Sequence, residues 1–306
     1  MLIQSGARGI PGFLGIGTAR AGTTWLYVNL RKHPQFYLPP VKELYYFDLL
    51  RHGPLYHILP MGTPENWSRL IRGWQRRTLL RELLEFRAPL TWAMRFWFAS
   101  RNDQWYTKLF RKDRISGEFS PSYMNLPRNV VEEIRQLNPA MKIILMLRDP
   151  VMRTWSWVRH VVPAQKWQMH GPAREAGKQK LFQIMTSPKC VAWNDYVTPI
   201  KTWRSVFGEK QVFIGFYDHL QARPRELMRS VLDFLGVDSS DAHIADTVDK
   251  AVNASRKLDM PEEFRPAMYA QYVEQLRELE QMFGDPVSKW RAKAEAAVGQ
   301  APQKVS

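Results

Sequence analysis

The 306-residue sequence contains one cysteine, Cys190. A single thiol excludes an intrachain disulfide framework and a cysteine-rich zinc site, and it reads as an inert core residue. Acid is scarce as well: 29 Asp and Glu face 44 Lys and Arg, a formal charge of +15. Such a field gathers anionic partners of any kind and chooses among none of them. The basic residues are spread along the chain and form no recognisable nucleic-acid motif, so no specific nucleic-acid partner is expected. No apolar run approaches the roughly 18 residues of a membrane span. Residues 1–12 are too short and too weakly apolar for a secretory signal. Together these absences predict a soluble, cytoplasmic protein.

Hydrophobic residues make up 45% of the chain, with 12 Trp, 15 Phe and 11 Tyr, ample for a core. Apolar runs at 12–16, 35–38, 142–147 and 212–216 read as buried strands, and 114–117 as a weaker one. Segments of helical period lie at 23–32, 125–137, 151–161, 190–207, 223–235 and 261–283. Strands alternating with helices predict an α/β fold, a single domain with a central, mainly parallel sheet flanked by helices. From about residue 49 to 114 the chain is rich in Trp and Arg and has no strand signal, which predicts a helical insertion on one sheet edge. The polar stretch 163–189, with Gly171, Pro172 and Gly177, reads as a mobile loop. The Ala/Lys-rich stretch 291–306 reads as a flexible tail after a domain over 1–290.

The richest segment is Gly12-Phe13-Leu14-Gly15-Ile16-Gly17-Thr18-Ala19-Arg20-Ala21-Gly22-Thr23-Thr24-Trp25-Leu26. An apolar strand, a Gly-rich turn and a helix start in immediate succession form a cradle of backbone N–H groups and helix dipole for a phosphate. Gly17 and Gly22 have the spacing of the triphosphate loop. The lysine expected after Gly22 is missing, since Thr23 stands there, and the cation lies inside the loop as Arg20. This pattern predicts a P-loop-like nucleotide-binding core.

A second signal ends the strand at 143–147: Arg148-Asp149-Pro150, then Arg153 and Ser156. Pro150 is suited to a helix start, and Ser156 falls about two turns into that helix. Arg148 by its fork and Ser156 by its hydroxyl suit one phosphate. Lys42-Glu43 follow a Pro-Pro turn after the second strand, and Gly117-Glu118-Phe119-Ser120-Pro121-Ser122-Tyr123 follow the third. Read alone, Lys42 and Glu43 make a solvated surface pair more readily than a site.

In this order, from Phe13 to Trp290, these segments resemble the sulfotransferases that use 3′-phosphoadenosine-5′-phosphosulfate (PAPS), in particular bacterial and glycan-type members. The resemblance implies transfer of a sulfuryl group to a hydroxyl or amine of a carbohydrate or small-molecule acceptor, with no metal required. It implies that Arg20, Ala21, Gly22, Thr23 and Thr24 hold the 5′-phosphosulfate, that Arg148 and Ser156 hold the 3′-phosphate, and that Trp25 stacks on adenine. A core role for Trp25 is the plain alternative. It makes Glu43 the base, with Arg20 at the leaving oxygen and Lys42 at the sulfuryl oxygens. Arg256 and Lys257 stand where relatives carry a basic loop closing on the 3′-phosphate. Two rival classes remain open: a kinase-like nucleoside-triphosphate enzyme with Asp149 on magnesium, and a non-catalytic polyanion binder.

Overall fold

Strands buried on both faces are written as nearly continuous apolar runs, and five such runs build one sheet. They are β1 (Phe13–Gly17), β2 (Phe36–Tyr37), β3 (Ile115–Phe119), β4 (Lys142–Leu147) and β5 (Val212–Phe216). The computed structural model of the protein describes residues 9–50, 64–85, 88–161, 172–250, 252 and 259–299. All pairings are parallel, in the order β2-β3-β1-β4-β5.

Alternation along the central strands divides the apolar side chains between two cores. Leu14, Ile16, Ile143, Leu145 and Leu147 face one side, while Phe13, Ile144 and Met146 face the other. The second side is covered by α1 (Thr23–Leu30), through Leu26 and Leu30. The insertion supplies α2 (Pro64–Leu84), α3 (Leu90–Phe98) and α4 (Asp103–Thr107). The first side is covered by α5 (Arg128–Leu137) and α6 (Pro150–Val161). Next come α7 (Pro172–Met185), α8 (Pro188–Trp193), α9 (Val197–Phe207), α10 (Tyr217–Ala222) and α11 (Pro224–Leu235). The chain closes with α12 (Arg265–Ala270), α13 (Val273–Phe283) and α14 (Val287–Gly299). The result is an α/β domain with helices on both faces of a parallel sheet.

Close packing at β1 and β3 explains two glycines. A Cβ on Gly15 would lie 1.9 Å from the Phe119 ring, and one on Gly117 would lie 2.2 Å from the Phe13 ring. The two rings interlock edge to face, 6.1 Å apart. Phe119 is therefore a core residue, closed off from any reaction centre.

Three expectations change. The loop expected over 163–189 is helical from Pro172 onward. Pro172 opens α7, where its missing N–H is harmless, and Gly177 sits where a Cβ would meet nothing within 4 Å. The tail expected to be flexible is helical to Gly299, because Trp290 and Ala294 are fully buried in the main core. The segment expected as one helix over 190–207 divides at Asn194, whose side-chain amide bonds Thr154 Oγ1 and the Cys190 carbonyl instead of solvent.

Candidate active site

β1 leads to β2 at one edge, and its neighbour β4 leads to β5 at the other. Adjacent strands with diverging connections open the crevice in which α/β sheets bind ligands. Both leading motifs end there. After β1 the register with β4 slips between Gly15 and Gly17, and the Thr18 N–H donates to the Met146 carbonyl at 2.7 Å. Thr18 is fully buried, and its Oγ1 has no hydrogen-bond partner. Gly22 starts α1 with φ +95°, a left-handed conformation, and a Cβ there would fall 2.5 Å from Leu220 Cδ2. Only glycine satisfies both demands.

Arg20 also lies in the left-handed region, at φ 69°. Its conformation is held from two sides: Arg148 Nη1 donates to the Arg20 carbonyl at 2.9 Å, and Arg20 Nε donates to Ser156 Oγ at 3.2 Å. The predicted 5′ and 3′ phosphate ligands thus form one connected cluster. The Arg148 guanidinium rests over the Tyr217 ring at 4.1 Å. Burial pushes the pKa values of Arg20 and Arg148 down. The charge of Arg148 adds to this at Arg20, and the charge of Arg159 adds to it at both. Three guanidinium groups crowded into one crevice create a demand for anionic charge.

Two residues of the Arg148–Ser156 motif serve the scaffold. Arg153 is 1% exposed. It donates Nε to the Ala19 carbonyl at 3.0 Å, and Nη1 to the Trp193 carbonyl at 2.9 Å and Asn194 Oδ1 at 2.6 Å. The phosphate loop is therefore braced from α6. Asp149 accepts the N–H groups of Val151 and Met152 with Oδ1 and the Tyr269 hydroxyl with Oδ2. Its carboxylate is a buried helix cap.

Across the crevice, Glu43 stands at φ 66° with its N–H on the Phe119 carbonyl. Lys42 Nζ donates to Glu43 Oε1 at 2.6 Å, and the Tyr45 hydroxyl donates to Oε2. Burial, followed by the Glu43 charge, drives the Tyr45 pKa well up, so it remains a donor. Beneath them Glu118 is 2% exposed and accepts the Tyr106, Tyr123 and Ser120 hydroxyls. Tyr123 in turn accepts the Tyr46 N–H at 2.8 Å, which fixes the turn after Glu43. Burial pushes the Glu118 pKa up to about 7.

Sequence reasoning missed Arg159 and His160. Burial lowers the pKa of His160; the charge of Arg20 lowers it further and that of Glu43 raises it, so the imidazole feels both halves of the crevice. The signal was available as helical spacing, because His160 follows Ser156 by one turn on the same face of α6. Trp25 is 3% exposed, with Nε1 donating to the Val248 carbonyl at 2.8 Å, which supports its core role over stacking. Ala21 and Thr23 are buried at the start of α1. Arg256 and Lys257 lie outside the described residues. Cys190 is buried, with its thiol pKa raised by burial. Among the described residues no helix is long and apolar enough to cross a membrane.

A parallel sheet with a Gly-rich loop and clustered arginines at its switch point defines an α/β protein with a phosphate-loop-like fold. A family model, the sulfotransferase family, matches residues 11–241. The chain belongs to that family. A membrane-associated sulfotransferase, kil1, of Dictyostelium discoideum is 30% identical over 147 residues, 48% of this chain and 22% of that protein. A bifunctional heparan sulfate N-deacetylase/N-sulfotransferase of Caenorhabditis elegans is 22% identical over 141 residues, 43% of this chain and 16% of that protein. The chain thus spans about a fifth of the length of these curated relatives. Among solved structures, a sulfotransferase from Alicyclobacillus acidocaldarius shares the fold, with 24% identity and a TM-score of 0.61 over 92% of this chain and 98% of that one.

Proposed function

We propose that the protein transfers a sulfuryl group from PAPS to a hydroxyl or amine of a carbohydrate or small-molecule acceptor. The observation that carries this reading is the cluster of Arg20 and Arg148 at the ends of β1 and β4 with Arg159 of α6: burial lowers the pKa values of Arg20 and Arg148, and the charge of Arg148 on Arg20 and of Arg159 on both lowers them further. A ligand with phosphates at both ends of a ribose relieves that repulsion.

PAPS, when bound, supplies the activated sulfuryl group. The N–H groups from Ala21 to Thr24 and the α1 dipole hold its 5′-phosphate, and Arg148 with Ser156 holds the 3′-phosphate. Arg20 places a permanent positive charge where negative charge grows on the leaving oxygen. Glu43 takes the acceptor proton. Its two oxygens already accept from Lys42 and Tyr45, which fixes the carboxylate plane, and each oxygen keeps a lone pair for this task. Lys42, 7% exposed beside Glu43, faces the sulfuryl oxygens. A kinase-like chemistry would need Asp149 on a metal, and that carboxylate is engaged as the α6 cap.

Calorimetric titration without magnesium tests the reading. Adenosine 3′,5′-bisphosphate is expected to bind in preference to AMP and ATP, and Arg148→Ala to weaken it by about 10- to 100-fold, the worth of a hydrogen-bonded charge. Preference for ATP with magnesium would hand the site to the kinase-like class. Steeply salt-dependent DNA binding without nucleotide affinity would hand it to the polyanion binder.

A further inference from the structure

Among the described residues seven large hydrophobic side chains are exposed, and six of them stand on two neighbouring helices. They are Trp74, Leu80 and Leu84 on α2 and Leu90, Met94 and Phe98 on α3. Scattered singly such residues need no explanation, but gathered into one patch they do. On α3 they recur every four residues, a row roughly 12 Å long at the helical rise. The other side of the same helix carries Trp92, Ala93 and Phe96, which are buried in the main core. A helix apolar on both faces is suited to an apolar medium on both. The two helices present one surface, because Leu80 and Phe98 line the same groove between them.

Cations are interleaved with this patch. Arg76, Arg77 and Arg81 are exposed on α2 and have no acidic partner among the described residues. Arg95 is exposed on α3, and its Nη1 donates to the carbonyl of Lys108, a further exposed cation. Glu82 is turned inward and bound to Arg31, which leaves Glu85 as the exposed acid of residues 73–101.

We propose that the outer face of α2 and α3 docks on an anionic lipid bilayer. The apolar side chains enter the boundary between headgroups and acyl chains, and the arginine stems follow them while their guanidinium groups meet headgroup phosphates. Among the described residues no helix is long and apolar enough to span a membrane, so both helices lie in the plane of the surface. A second copy of the chain fits less well, since a two-fold axis would set arginine against arginine. A nucleic acid would answer the arginines and leave Met94 and Phe98 in water. This inference goes beyond the transfer reading and does not depend on it.

The test is co-sedimentation of the full chain with vesicles, either of phosphatidylcholine alone or of phosphatidylcholine with about one-third phosphatidylglycerol. Wild-type protein is expected to bind the anionic vesicles and to bind them less as salt rises. Arg76→Gln, Arg77→Gln and Arg81→Gln together should weaken binding about tenfold or more, and Met94→Ser with Phe98→Ser about tenfold. Arg223→Gln, Arg225→Gln and Arg229→Gln remove the same charge from exposed positions around α11 and should change binding by less than about twofold, because screening confines the effect to the docked face. Every side chain changed is exposed, so melting temperatures should match wild type. No binding to anionic vesicles, equal binding to phosphatidylcholine alone, an unaltered Met94→Ser/Phe98→Ser protein, or an equal loss in the α11 variant overturns the proposal. A wild-type dimer in sedimentation that Met94→Ser with Phe98→Ser dissolves would give the face to a second copy and overturn it as well.

Discussion

Glu43, the proposed base, and Glu118 differ in setting. Glu43 is partly exposed and held by Lys42 and Tyr45, a setting that suits a proton acceptor. Glu43→Gln is expected to leave nucleotide affinity intact and to lower turnover by about 10²–10⁴-fold, the usual worth of a placed base. Product assays beside calorimetry check this, and an unchanged rate would take Glu43 out of the mechanism. Glu118 titrates for a structural reason. Its folded pKa, about 7, lies above the ordinary glutamate value, so the folded state binds the extra proton between those values. Stability from this group is fully present below the ordinary value and is lost as pH rises through 7. Tyr106, Tyr123 and Asp48 are the titratable neighbours that shape the shift. Wild-type protein should lose up to about 3 kcal/mol relative to Glu118→Gln between pH 5 and 8. Thermal melts of both proteins across that range supply the comparison, and parallel curves would deny the shift.

At the scale of elements, α6 does most to shape the site, and it was only half legible. Arg148 and Ser156 stood out because a strand end, a proline and a helical spacing all lie within one short stretch of sequence. The hold of Arg153 on Ala19 was not legible, since it depends on β1 and β4 being neighbours, a fact of strand order that no local pattern carries. His160 needed the same knowledge to connect it with Glu43. Polar composition hid α7, because Gly177 and Pro172 punctuate a helix whose buried Met185 gives it purchase. The contrast between two arginines tests the account of α6. Arg153→Met removes a buried cation from three carbonyl oxygens, and we expect a loss of about 2–4 kcal/mol together with loss of nucleotide affinity. Arg148→Ala should lose affinity with a much smaller change in melting temperature. Denaturant unfolding beside calorimetry separates the two; equal stability losses would merge scaffold and site.

For the whole molecule, the sheet and its switch point followed from alternating apolar runs, while the closing helices did not. The Ala/Lys-rich composition after Trp290 concealed a buried face, and α14 is set by tertiary packing more than by its own sequence pattern. Those last helices reach far into the crevice. Tyr269 on α12 completes the Asp149 cap, Gln275 on α13 accepts the Tyr196 N–H, and the Tyr196 hydroxyl donates to the Arg148 carbonyl. Trp290 of α14, fully buried, donates to Asp218, next to the Tyr217 that lies under Arg148. The stretch matched by the family model stops at residue 241, before all of these. A protein truncated there should collapse into aggregates or bind no adenosine 3′,5′-bisphosphate, and soluble expression with a nucleotide titration decides the matter. The Gly-rich loop and its arginines are then no portable cassette: grafting the motif-bearing part onto another scaffold would leave behind the struts that give it shape.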